Sequence, residues 1–326
     1  MECITAGKRD GGDASVVMDH STEFLPFRSI LHLSDFSACS DKALGWAVAA
    51  ARAHHAGLSL LHVVVPDALT YMTPDSPAAA LDMQEEWALG EMRQRAARLA
   101  DLPHRALVLR GNDVWSAVSP KLAELKCDLL VLGTHGRTGL GKLLLGSIAE
   151  NVLRHSTIPV VTVGAEASPC GELPGKFHCI LLATDFAPGS AETAGYAAAL
   201  AEADQAHLLL LHVCKANPRG KANGSGGLSV AEALHRLHEL APQQNHSSRK
   251  PEPIVEFGDA GTTILEIAKR KSADLIVMGL RDALSVFAAT HLDVGTTHAV
   301  VAHAPCPVLT IRPLIQRAMQ PLDERR

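Results

Sequence analysis

The chain has 326 residues, of which 47% are hydrophobic and 20% are charged, and its formal net charge is −5. This length allows two globular domains with buried cores. The negative charge argues against nucleic acid or an anionic membrane surface as a partner, and no apolar run reaches the roughly 20 residues of a membrane helix. The seven cysteines are scattered without a CxxC pair, and residues 1–26 lack the apolar segment of a secretory signal, so we expect a cytoplasmic protein.

Ten short apolar segments are predicted to be strands, five in each half of the chain. They lie near residues 29–34, 58–64, 105–110, 128–133, 159–163, 179–184, 207–213, 253–257, 274–279 and 307–311. The segments are apolar nearly throughout, which is typical of strands covered on both faces, and helical periodicities separate them. This alternation predicts parallel sheets covered by helices and joined by right-handed crossovers.

The two halves of the chain repeat each other. Four pairs of segments match in the same order: 30–36 with 180–186, 60–63 with 210–213, Gly111 with Gly258, and 128–133 with 274–279. The sequence therefore predicts two tandem α/β domains, residues 27–164 and 177–312, each a doubly wound five-stranded parallel sheet. We call these domains the first and second repeats.

A glycine-rich loop follows the fourth predicted strand of the first repeat and runs from Gly133 to Gly146. Ligands of open parallel sheets bind beyond the carboxyl ends of the strands, where Asp35 also falls. Glycines let backbone N–H groups approach a phosphate, and a helix beginning near Gly146 adds unpaired donors. Ser147 is predicted to be the N-cap of this helix, with Glu150 completing a capping box.

Other motifs give weaker signals. The run from Gly136 to Lys142 reads GxxxxGK, but Leu143 stands where a P-loop needs Ser or Thr, and the loop follows a fourth strand rather than a first. No Ser-His-Asp or Cys-His grouping can be assembled from spacing. His62 and His212 recur at strand ends and are predicted to be structural. The loose spacing of four further residues favours no metal site: His291, His298, His303 and Cys306.

The loop carries a resemblance to a known family. The spacing Gly133-x2-Gly136-x9-Gly146-Ser147, between a DLLVLG strand and the segment 156–160, resembles the nucleotide-binding signature of the universal stress proteins. The Asp35-Phe36-Ser37 turn is similar to that family as well. The resemblance covers nearly all of both repeats and implies a flavodoxin-like sandwich, related to the adenine nucleotide alpha hydrolase fold. In one branch of the family it implies bound ATP, with Mg²⁺ as an open addition.

Carried over by position, the resemblance implies a set of nucleotide-binding residues in the first repeat. Asp35 and Val63 would line the adenine and ribose side, and Gly133 would pass close to the ribose. The phosphates would be held by Gly136, Arg137, Gly146 and Ser147. Gly111 and Ile148 complete the set.

The second repeat departs from this pattern at its loop. Asp282 stands where Gly136 stands in the first repeat, and twelve residues rather than nine precede the Gly295-Thr296 pair. A carboxylate there would repel phosphate, and its Cβ would block a close backbone approach. We therefore expect one nucleotide per chain. For Asp185, capping of the following helix and ligand contact stay open.

The leading functional hypothesis is an ATP-binding stress-response protein that acts as a nucleotide-dependent sensor or regulatory module. The alternatives are a slow ATPase or nucleotide-dependent transferase, and a structural scaffold without nucleotide. We also predict an intramolecular pseudo-dimer, in which the last strands of the two repeats, 160–163 and 308–311, pair antiparallel. A homodimer of the whole chain is an open alternative.

Overall fold

A computed structural model of the protein describes residues 27–66, 77–135, 145–167, 176–215, 228–241, 250–280 and 292–313. The strands are β1 (Ser29–Leu33), β2 (Gly57–Val64), β3 (His104–Arg110), β4 (Leu129–Gly133), β5 (Val160–Val163), β6 (Cys179–Ala183), β7 (His207–Cys214), β8 (Glu252–Phe257), β9 (Leu275–Gly279) and β10 (Val308–Ile311). The helices are α1 (Ala38–Ala53), α2 (Pro77–Ala96), α3 (Val114–Glu124), α4 (Ser147–His155), α5 (Ser190–Asp204), α6 (Val230–Leu240), α7 (Ala260–Arg270) and α8 (Leu292–His303).

All ten strands belong to one sheet, in the order β3-β2-β1-β4-β5-β10-β9-β6-β7-β8. Every neighbouring pair is parallel except β5 and β10. The predicted α/β class and doubly wound strand order are thus confirmed. In the first repeat the strand order reverses between β1 and β4, and such a reversal opens a crevice at the carboxyl ends of the strands.

The two repeats meet at β5 and β10. These strands pair antiparallel, with Val161 opposite Leu309, as the sequence predicts. Two buried threonine hydroxyls bridge the same strands: Thr162 donates to the carbonyl of Val308 at 3.4 Å, and Thr310 to the carbonyl of Val160 at 3.1 Å. Each final strand therefore covers the edge that the other would expose.

Apolar side chains cover both faces of the sheet. Successive residues of a strand point to opposite faces, so Ile30 belongs to one cluster and Leu31 to the other. Both clusters include residues of the two repeats, and Trp46 of α1 packs 6.1 Å from Phe177 at the start of the second repeat. Full burial of one such side chain contributes roughly 1.5–3 kcal/mol.

Side-chain caps fix where several helices begin. Asp113 and Asp259 start α3 and α7 in the same way, each accepting a hydrogen bond from the backbone three residues on, at 2.9 and 3.0 Å.

Among the helices of the described ranges, none is both long and apolar enough to cross a membrane.

Candidate functional site

The turn after β1 is fixed by hydrogen bonds of its own side chains. The Oδ1 atom of Asp35 accepts the N–H of Ser37 at 2.9 Å, and Phe36 has a φ of 64°. Ser37 is the N-cap of α1, and its hydroxyl accepts the N–H of Ser40 at 3.1 Å. The same hydroxyl donates to the carbonyl of His135 at 3.2 Å, so the Asp35 turn is tied to the end of β4.

Aromatic stacking supports the left-handed backbone of Phe36, which costs about 1–2 kcal/mol in a residue with a Cβ. The Phe36 ring stacks on His62 at 4.3 Å, and the Arg95 guanidinium lies 4.8 Å from the Phe36 centroid. His62 donates from Nδ1 to the carbonyl of Ser34 at 2.7 Å, which agrees with the predicted structural role. Packing at this turn therefore holds Asp35 at the mouth of the crevice.

A backbone hydrogen bond joins the two ends of the glycine-rich loop. The N–H of Gly146 donates to the carbonyl of Thr134 at 2.8 Å, and the N–H of Thr134 donates to Val163 at 3.0 Å. Helix α4 therefore begins beside the carboxyl end of β4, next to the Asp35 turn. Gly136 and Arg137, predicted to bind phosphate, lie outside the described residues, as does Asp282 of the second repeat.

The predicted capping box at Ser147 is wrong. Gly146 is the N-cap of α4, with extended backbone, and its carbonyl accepts the N–H of Glu150 at 2.9 Å. Ser147 is thus the first helical residue, and α4 has no side-chain cap among the described residues. The first N–H groups of a helix have no partner within it, so no hydrogen bond inside α4 satisfies those of Ser147, Ile148 and Ala149. Ser147 and Ile148 are also exposed.

The other predicted binding residues of the first repeat are constrained by packing of the chain itself. Val63 is buried. A Cβ added to Gly111 would lie 3.4 Å from the side chain of Val63 and 2.9 Å from that of Ala117. A Cβ added to Gly133 would lie 2.9 Å from backbone atoms of Cys39 and Ser40 in α1. Glycine at both positions therefore permits close helix approach. Contact with a ligand at these positions stays a prediction.

Two histidines at this end of the sheet were not singled out by sequence reasoning. His32 is fully buried in β1, with its Nε2 atom 3.4 Å from the hydroxyl of Ser40, and burial lowers its pKa to about 4. His135 follows β4, and its Nδ1 lies 2.8 Å from the hydroxyl of Thr134. The Nε2 atom of His135 is buried and has no hydrogen-bond partner in the part of the chain that the structure describes.

The second repeat keeps the first-strand turn. Asp185 accepts the N–H of Ala187 at 2.9 Å, and Phe186 has a φ of 60° and stacks on His212 at 4.4 Å. Gly189, and not Asp185, is the N-cap of α5, so Asp185 closes the turn without capping the helix. The alternative that Asp185 caps the following helix is therefore wrong.

The second repeat differs at the helix after its loop. Helix α8 begins at Leu292, so Gly295 and Thr296 lie inside the helix. A Cβ added to Gly295 would meet no atom within 4 Å, so this glycine makes no close approach. Gly295, which corresponds to the glycine that starts α4, therefore does not stand at the N-terminus of α8.

Together these features define a class: a tandem α/β protein with one ten-stranded sheet, in which a helix without a side-chain cap among the described residues begins beside the strand reversal of the first repeat. A model of the universal stress protein family matches residues 26–164 and 176–312. The chain belongs to the universal stress protein family.

Individual relatives are similar over long stretches. A universal stress protein of Mycolicibacterium smegmatis is 29% identical over 294 residues, which are 86% of this chain and 95% of the relative. One from Thermus aquaticus is 34% identical over 140 residues, 42% of this chain and 98% of the relative. The crystal structure of a universal stress protein from Archaeoglobus fulgidus has a TM-score of 0.65 at 21% identity, covering 87% of this chain and 98% of that one. The similarity to this crystal structure shows that the two proteins share a fold.

Proposed function

We propose that the chain is an ATP-binding stress-response protein whose first repeat holds one nucleotide. Bound ATP acts as a signal that favours one conformation or partner surface, and any hydrolysis is slow. Family membership and the arrangement of the first repeat support this proposal.

The start of α4, which has no side-chain cap among the described residues, is the observation that carries the proposal. Three consecutive N–H groups lie there beside the crevice, and the hydrogen bond from Gly146 to Thr134 holds them in place. A helix N-terminus carries roughly half a positive charge, so it favours a phosphate. ATP supplies a chain of such anionic groups. The glycine-rich loop would enclose them.

The opposite side of the crevice suits the nucleoside. Asp35 offers a carboxylate just past the end of β1, and the apolar Val63 lies near the end of the neighbouring strand β2. Carboxylates accept hydrogen bonds from amino and hydroxyl groups. The buried Nε2 atom of His135 supports the fit, because a ligand oxygen at the base of the loop would give this nitrogen a partner.

A sensor role follows from binding thermodynamics. A ligand that binds only the folded or closed form stabilises that form by about 2.7 kcal/mol at 100 times its dissociation constant. The concentration of ATP would thereby set the population of the closed form. Rapid chemistry is not needed for this response.

We further propose that the two repeats form an intramolecular pseudo-dimer about the β5–β10 seam. The two threonine bridges, which relate Thr162 and Thr310 by an approximate twofold axis, support this proposal. Lys42 of α1 holds the start of the segment that joins the repeats, donating to the carbonyls of Ala165 and Ala167 at 2.6 and 3.0 Å.

Calorimetric titration of the full chain with ATP, with and without Mg²⁺, tests the proposed function. We expect one site per chain. Gly136→Asp, which copies the second repeat, should abolish that site and leave the circular dichroism spectrum unchanged. The matched variant Asp282→Gly should still bind one ATP, because the pair Gly295-Thr296 lies inside α8.

Each other outcome contradicts a defined part of the proposal. Two ATP molecules per wild-type chain would show that the second repeat is competent. No binding would leave the scaffold hypothesis. A steady-state phosphate release near 10 s⁻¹, an ordinary enzyme turnover, would overturn the sensor role.

A further inference from the structure

A buried arginine of the second repeat holds a helix of the first. Arg312 follows β10 directly and is only 4% exposed. Its Nη2 atom donates to the carbonyls of Leu153 and Arg154 at 3.0 and 2.8 Å, and its Nε atom donates to Ser156 at 3.2 Å. These three carbonyls form the C-terminal end of α4.

The chemistry of this contact suits a fixed anchor. The last carbonyls of a helix have no partner within it and carry partial negative charge, which a cation complements. The planar guanidinium presents several donors in a rigid fork, so it engages neighbouring carbonyls together. A buried charge is tolerated where such hydrogen bonds satisfy it.

The equivalent position in the first repeat is a glycine, which cannot make this contact. Gly164 follows β5 as Arg312 follows β10, and it lies against the C-terminal end of α8 in the same manner. A Cβ added to Gly164 would lie 3.7 Å from the carbonyl oxygens of Val301 and Ala304. Glycine has no side chain to engage them. Helix α4 is thus anchored across the seam by arginine, whereas the residue facing α8 from the first repeat is glycine.

We infer that Arg312 is a positioning residue for the phosphate site of the first repeat, an inference that rests on the proposed function. Helix α4 has nine residues and is roughly 13 Å long, so its two ends move together. Arg312 fixes one end, and the bond from Gly146 to Thr134 fixes the other. The N–H groups of Ser147 and Ile148 are thereby held in place before ligand arrives, and such preorganisation raises affinity.

The inference assigns a role to the second repeat, which completes the nucleotide site of its neighbour without binding ATP itself. A change in the packing of β10 would move Arg312 and, through it, α4. The second repeat is then a point from which phosphate binding can be regulated.

Titrations of the full chain with ATP and with adenosine test the inference. We expect Arg312→Met to lower ATP affinity about tenfold, equivalent to about 1.4 kcal/mol, and to change adenosine affinity less than about twofold. Adenosine lacks the phosphates that α4 would hold. Arg312→Lys keeps the charge and should recover part of the ATP affinity. Thr310→Val is the matched control, because it removes a hydrogen bond of the seam and leaves α4 untouched.

Hydrogen exchange of the ligand-free chain separates this inference from the proposed function. We expect Arg312→Met to speed amide exchange throughout α4, whereas Thr310→Val leaves it unchanged. Unchanged exchange in Arg312→Met would refute the anchoring, whatever the chain binds. Equal losses of ATP and adenosine affinity, or the same loss in Thr310→Val, would refute the phosphate-specific role. If both variants exchange as expected but the wild-type chain binds no ATP, the anchoring of α4 stands and the proposed function is overturned. The link from α4 to phosphate is then overturned as well.

Discussion

His32 is a buried histidine between the apolar residues Leu31 and Leu33 of β1, and the corresponding residue of the second repeat is Leu182. Burial lowers the pKa of His32 from its ordinary value of 6.5 to about 4. Between these two values the unfolded chain binds more protons than the folded chain, so acid destabilises the fold. The loss is complete only below pH 4, and at pH 4 it already amounts to about 3 kcal/mol.

His32→Leu should remove this contribution. At pH 7.5 the variant and the wild type should unfold at similar urea concentrations. As the pH falls from 6.5 to 4, the free energy of unfolding of the wild type should fall about 3 kcal/mol further than that of the variant. His235→Leu, on the exposed face of α6, is the control and should follow the wild type. Parallel curves for wild type and His32→Leu would contradict the buried neutral state of His32.

At the scale of elements, Ser37 links two parts of the candidate site. It caps α1 and also donates to His135 at the base of the loop. Ser37→Ala should cost about 1 kcal/mol of stability for the lost cap. It should also weaken ATP binding, because the Asp35 turn and the loop are no longer tied together.

Ser229→Ala is the matched control for that prediction. Ser229 caps α6 by accepting the N–H of Glu232 at 3.2 Å, at an exposed position away from the loop. Urea unfolding should give a similar loss of stability for both variants, and calorimetry should show weaker ATP binding for Ser37→Ala alone. Equal ATP affinities in the two variants would show that the bond to His135 has no part in the site.

The strands were predictable because their signal is local. A run such as Leu129–Gly133 is apolar on both faces, which few structures other than a covered strand explain. The N-cap of α4 was not predictable, because its place depends on a hydrogen bond to Thr134, which lies just past β4 and twelve residues earlier in the chain. The same holds for Arg312, since periodicity within the second repeat says nothing of the helix end that it meets. His32 stands in the middle of an apolar run, where a single polar residue gives no signal.

At the scale of the whole molecule, the seam between β5 and β10 turns two sheets into one. The first repeat alone would expose β5 as an edge strand with unpaired backbone groups. A second copy of the same strand could pair with it antiparallel, with Val161 near the twofold axis where Leu309 now lies. The tether makes this pairing intramolecular in the full chain, at high effective concentration.

The fragment 1–165 should therefore form a dimer through β5. Sedimentation equilibrium should show self-association of the fragment at micromolar concentrations, which corresponds to about 8 kcal/mol of association free energy. Its melting temperature should rise with concentration, because dimerisation stabilises it by mass action, and should lie at least about 4 °C below that of the full chain. The full chain at the same concentration is the control, and self-association there would assign a homodimer to a surface other than the seam. A fragment that stays monomeric and has the same melting temperature as the full chain would show that the repeats are independent domains. The stability of the first repeat would then not depend on pairing between β5 and β10.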